Sequence, residues 1–107
     1  MDAPFLYLVR FWVNPEGAKA VLHWLDGGHM RDVVGQPGFL WVRRVRLDQN
    51  GPDGWHGYTM IYGVESRAAL QRYFDGPAPA RFAQERKPFE HYLRMERNWG
   101  TVDAAVP

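Results

Sequence analysis

The sequence predicts an α+β fold of four strands and two crossover helices in the order βαββαβ. Three observations predict it. Runs rich in aromatic and β-branched residues occur four times, helical apolar spacing separates the first from the second and the third from the fourth, and the middle two runs are joined by the turn-forming stretch "DQNGPDG". The chain has 107 residues and no linker, repeat or low-complexity tract, so residues 1–107 are expected to form a single domain.

The first strand is "FLYLVRFWV", Phe5 to Val13, closed by the turn "NPEG". From Glu16 to Asp26, Ala18, Val21, Leu22 and Leu25 recur at helical spacing, and Gly27 and Gly28 are expected to stop the helix. His29 would then stand at a glycine-flanked corner. "FLWVRRVRL" reads as the second strand, and "WHGYTMIYGV" returns beside it as a hairpin. Ser66 is a good N-cap for the helix "RAALQRYF", which Gly76 ends. "PARFAQERK" adds a short helix, "FEHYLRMERNW" is read as the last strand although its pattern also allows a helix, and "GTVDAAVP", residues 100–107, is a loose tail or an exchanged arm. The result is a ferredoxin-like arrangement with an antiparallel four-stranded sheet.

Right-handed crossovers place both helices on one face of the sheet and leave the other bare. That bare face is not polar. The first strand alternates Phe5, Tyr7, Val9 and Phe11 on one side with Leu6, Leu8 and Trp12 on the other, broken only by Arg10. A second copy of the chain is the simplest cover, so a homodimer is expected.

The chain resembles the dimeric α+β barrel superfamily, in which two ferredoxin-like subunits pack sheet to sheet. The resemblance runs from about Phe5 to Trp99 and rests on "WLDGGH", the "PGF" at Pro37 to Phe39, "YFDGPAPARF" and an arginine-bearing last strand. It points to an uncharacterised branch related to EthD-like proteins, antibiotic-biosynthesis monooxygenases, muconolactone isomerase and aromatic polyketide cyclases. The resemblance implies a ligand cleft between helices and sheet in each subunit, and chemistry without metal or bound organic cofactor.

Composition narrows the function. Thirteen basic and twelve acidic side chains give a net charge of +1, so no molecule-wide field draws the chain to nucleic acid or an anionic membrane. Without cysteine there are no disulfides or thiol chemistry. The N-terminus "MDAPFLYLVRF" lacks the basic and apolar segments of a signal peptide, and a cytoplasmic, soluble protein is expected. Thr59, Ser66 and Thr101 are the only aliphatic hydroxyls, and neither a phosphate-cradling glycine loop nor a nucleophile elbow is present.

His29 is the candidate catalytic residue, since an imidazole exchanges protons near neutrality. Its alternative role is a helix C-cap, held as imidazolium by the dipole. A metal site with His23 and Asp26 has the weaker signal, and no metal is expected. Sixteen aromatic residues (five Trp, five Tyr, six Phe) exceed what one small core takes up and suit a flat ligand. Tyr7 and Tyr62 sit mid-strand, where a phenol could bond a carbonyl or phenolate, although packing is the alternative. Arg81 and Arg97 are candidates to hold a ligand carboxylate, with salt bridges to Glu85 or Glu90 as the alternative. Arg43 should point away from Arg44 and Arg46.

The expected function is a homodimer that binds a small aromatic or carbonyl-bearing molecule, with cofactor-independent proton transfer, cyclisation or oxygenation as its chemistry. The alternatives are a non-catalytic binding or stress-response module and an RNA-recognition domain. For the latter, "LYLVRF" and "HGYTMIYG" partly match the two aromatic signatures, but the basic and stacking positions depart from them.

Overall fold

A computed structural model describes residues 2–107. Strand β1 (Phe5–Val13) is central because both of its edges are paired, with β3 (His56–Val64) on one side and β4 (Leu93–Thr101) on the other. β2 (Phe39–Arg46) pairs with β3, giving the antiparallel order β2-β3-β1-β4. This is the expected α+β, ferredoxin-like arrangement.

The period of two decides the core. Phe5, Tyr7, Val9, Phe11 and Val13 of β1 join Tyr58, Met60, Tyr62 and Val64 of β3 beneath the helices, all buried. The helices add Val21, Leu25, Val33, Leu70 and Phe82. Tyr7, Phe11, Tyr58 and Tyr62 thus lie under the helices. A base-stacking platform would have its aromatics on the open face, where of the strand aromatics only Trp12 and Trp41 stand.

Helix α1 (Pro15–Trp24) starts at Asn14, whose side chain accepts from the Glu16 amide at 2.9 Å. The glycines break it as expected, at Gly28: Leu25–His29 form one π-helical turn around a kink, and a second helix, α2 (Met30–Val34), starts beyond it and stops at Gly35. Gly28 has φ 155° and ψ −27°, which L side chains avoid, and the Met30 amide reaches back to the Leu25 carbonyl. Beyond the kink Met30, Val33 and Val34 pack on the core, which favours a second helix there.

Gly38 in the "PGF" turn has φ 89°, and a Cβ there would lie 2.6 Å from that of Ala69. The turn therefore seats β2 directly against α3 (Arg67–Asp75), which Ser66 caps by accepting from the Ala69 amide at 3.0 Å. Helix α4 (Ala78–Arg86) follows.

The last strand begins at Leu93 rather than Phe89. Lys87–Tyr92 form a 3₁₀ turn, which Pro88 suits at its start, and the Tyr92 carbonyl accepts from the Asn14 amide at 2.9 Å. β4 also runs further than expected. Gly100 pairs with Leu6 and Thr101 with Phe5, so the first two residues of the expected tail belong to the sheet. Residues 102–107 have no regular structure and are exposed. No helix among the described residues is long and apolar enough to cross a membrane.

Candidate functional site

A cavity of about 330 Å³ lies between the helices and the inner face of the sheet. β1 supplies Tyr7, β3 supplies Tyr62, and β4 supplies Arg97, which pairs in register with Val9. The sheet places these three together because Tyr7 and Tyr62 are direct partners and Val9 is two residues along the same face as Tyr7. From the other side come Trp24 and His29 of the kinked helix, Tyr73 and Phe74 of α3, and Phe82 and Arg86 of α4.

His29 points into this space from the π-helical turn. Its ring stacks on Trp24 at 4.1 Å and meets the edge of Phe82 at 5.0 Å. Burial lowers its pKa to about 4, the Arg86 charge pushes the same way, and Asp32 opposes both. The imidazole is therefore neutral at neutral pH. Its Nδ1 is buried without a hydrogen-bond partner. The capping role required a position beyond the helix end and a raised pKa. His29 instead stands at the N-terminal end of α2, just past the Gly28 kink, and its pKa moves the other way, so it does not cap as an imidazolium.

The phenols form the opposite wall. Tyr7 and Tyr62 stack at 5.8 Å, and Phe74 meets Tyr7 edge-on at 5.6 Å. Burial raises the pKa of Tyr7, against the charge of Arg97 beside it. Burial also raises that of Tyr62, aided by Tyr73 and Tyr7, and pushes Tyr73 up to about 12. All three hydroxyls stay protonated at neutral pH and can donate to an oxygen in the cavity.

A model of the family described as Domain of unknown function (DUF4286) matches residues 4–97, most of the chain. The chain belongs to the DUF4286 family. A search of curated proteins finds no match. Among solved structures, this DUF4286 chain is similar to SnoaB, a cofactor-independent oxygenase from Streptomyces nogalater, with 20% identity, a TM-score of 0.70 and 96% of each chain covered. It is similar to the heme-degrader MhuD of Mycobacterium tuberculosis, solved with two hemes in its active site, with 22% identity, a TM-score of 0.73, and 97% of this chain and 100% of that one covered. The ActVA-Orf6 monooxygenase of Streptomyces coelicolor, in complex with nanaomycin D, is 19% identical with a TM-score of 0.69 over 98% and 92% of the two chains. At these identities the likeness is one of fold, the ferredoxin-like branch that also holds EthD-family and antibiotic-biosynthesis monooxygenase structures.

Of the residues singled out by sequence, His29, Tyr7, Tyr62 and Arg97 meet at one cavity. Arg81 does not join them. It lies 3.9 Å from Glu85 on the exposed side of α4, the alternative its sequence position allowed. Arg86 takes the place expected of it. Ala78 and Phe82 are buried, and Arg86 follows Phe82 by four residues on the same face, so helical spacing could have found it. Trp24 and Tyr73 were also missed as wall residues, since only the π-helical turn and the α3 docking show where they point. Asp26 is bound to Arg44 at 2.8 Å, and Arg43 lies on the opposite face over Trp41, as alternation required. No group of three metal-ligating side chains occurs among the described residues.

Proposed function

We propose that this protein is a homodimeric barrel that binds a small, flat aromatic or carbonyl-bearing molecule in each subunit and moves a proton on it through His29 without a bound cofactor. The observation that carries this reading is a neutral imidazole set in the wall of an aromatic-walled cavity. In this reading Tyr7, Tyr62 and Arg97, which line the same cavity, hold the ligand oxygen. The dimer is supported by the outer sheet face, where Leu6, Leu8 and Ile61 are only half covered and no helix lies over them. Residues 1–107 act as one domain in this reading, and residues 102–107 are free to lie against the second copy.

The chemistry follows for a ketone with an acidic C–H, such as anthrone. The imidazole takes the carbon-bound proton, and the charge that moves onto oxygen is met by phenol hydroxyls and Arg97. Dioxygen adds to the carbanion, and the resulting peroxide loses water to leave a second carbonyl, so anthrone and O₂ become anthraquinone and water. A pKa of about 4 makes His29 a weak base in the empty cavity, and negative charge growing beside it strengthens it as the proton moves.

That same weak basicity favours a second reading, in which the Trp24–His29–Phe82 stack is a binding wall and the protein is a non-catalytic module. Anthrone titration with oxygen uptake separates them. Catalysis predicts turnover that falls about 100-fold or more in His29→Gln while anthrone affinity is kept. Binding without oxygen uptake by the unaltered protein leaves the module reading. No binding at all overturns both.

A further inference from the structure

Four arginines stand within ion-pair distance of a carboxylate: Arg10 with Glu96, Arg44 with Asp26, Arg81 with Glu85 and Arg94 with Asp53. Of the arginines without such a partner, Arg31, Arg43, Arg46, Arg67 and Arg72 lie outside the cavity, and Arg86 and Arg97 are the two that line it. Among the described residues neither has a carboxylate within 4.0 Å. No Asp or Glu lines the cavity with them. Glu90 acts on Arg86 from outside the wall, beyond ion-pair distance.

Two cations that face one largely apolar space repel each other; Arg86 is half-buried there, and Arg97 stands at the exposed edge of the cavity. Burial, and next the charge of Arg97, hold the Arg86 pKa below its ordinary value. This arrangement is unfavourable in the empty protein and becomes favourable when an anion enters. A guanidinium presents a planar fork that matches a carboxylate, and two forks can share one. The remaining wall near Arg97 is Tyr7, Tyr62 and Phe74, which offers ring faces and edges to a flat body.

We propose that the cavity's ligand is an aromatic carboxylate, with its charged end between Arg86 and Arg97 and its rings against Tyr7, Tyr62 and Phe74. The proposal rests on the cavity being the binding site, and it names the charge and class of what binds.

The test is calorimetric titration of the full chain with 2-naphthoate and with 2-naphthamide, which has the same shape and no charge. The acid is expected to bind at least about tenfold tighter than the amide, as charge-assisted hydrogen bonds require. Arg86→Gln and Arg97→Gln should each remove most of that preference, weakening the acid by a larger factor than the amide. Equal binding of acid and amide by the unaltered protein overturns the carboxylate clamp and leaves the cavity reading standing. Binding of neither overturns both. A preference that survives in both variants puts the anion elsewhere and also overturns the clamp. Where a glutamine variant does not fold, the lysine variant keeps the charge without the fork, and an undiminished preference for the acid counts against the proposal.

Discussion

The two faces of β1 differ in what they leave unfilled. On the inner face Phe5, Tyr7, Val9, Phe11 and Val13 are at most 7% exposed, and the gap between them and the helices is a cavity rather than solvent. On the outer face Leu6, Leu8 and Trp12 are half covered, and Arg10 lies 3.8 Å from Glu96 of β4. One strand thus carries a complete core on one side and an incomplete one on the other. The difference teaches that a two-layer subunit with an apolar sheet can use one face for a ligand only if something else covers the second face.

The comparison is broken most severely from the inside. Tyr62→Ala removes a ring that is 2% exposed and should cost about 3–5 kcal/mol, read as a lower denaturant midpoint at unchanged slope. A cost under about 1 kcal/mol would mean that the inner face is not the core. On the outer face, Leu8→Arg places two like charges near the proposed two-fold contact. It should weaken association at least 100-fold, about 2.7 kcal/mol, so that light scattering at micromolar concentration falls from twice the chain mass to one. A protein that is already monomeric would remove the dimer.

Smaller effects sharpen the inner face. Gly28→Ala forces a side chain onto φ 155° and should cost about 1–3 kcal/mol, and by shifting His29 it should also weaken ligand binding. A neutral substitution would show that the π-helical turn adapts freely. The smallest effect is the pH dependence of His29. Its folded pKa of about 4 lies below the ordinary 6.5, so the unfolded chain takes up the proton first as pH falls. Its neutral packing is fully present above pH 6.5 and is lost as pH drops towards 4. After allowance for partial exposure the loss is about 1–2 kcal/mol, and it should vanish in His29→Gln. Stability that instead rises on acidification through this window would restore the capping role.

Much of the fold was legible. Alternation in "FLYLVRFWV" assigns Tyr7 and Leu8 to opposite faces whatever lies above them, because strand side chains alternate by geometry. Ser66 and Gly76 mark α3 through local backbone chemistry. The break at Gly28 follows local propensity, but the second helix after it was not legible, because packing of Met30, Val33 and Val34 on the core sets it. The start of β4 was also hidden, since the bond from Asn14 to Tyr92 joins segments far apart in sequence.

The site divides in the same way. Residue order by itself determined that one sheet face would carry Tyr7 and Tyr62, that the other would be apolar without a helix to cover it, and that ionisable groups of several kinds were at hand. Only the tertiary structure decided which of them meet. Arg86 rather than Arg81 faces the cavity because the rotation of α4 is set by Phe82 packing inward, and His29 is a neutral ring in a wall because a π-helical turn carries it under Trp24. Charge state and direction depend on neighbours contributed by distant segments, and those neighbours exist only once the chain has closed on itself.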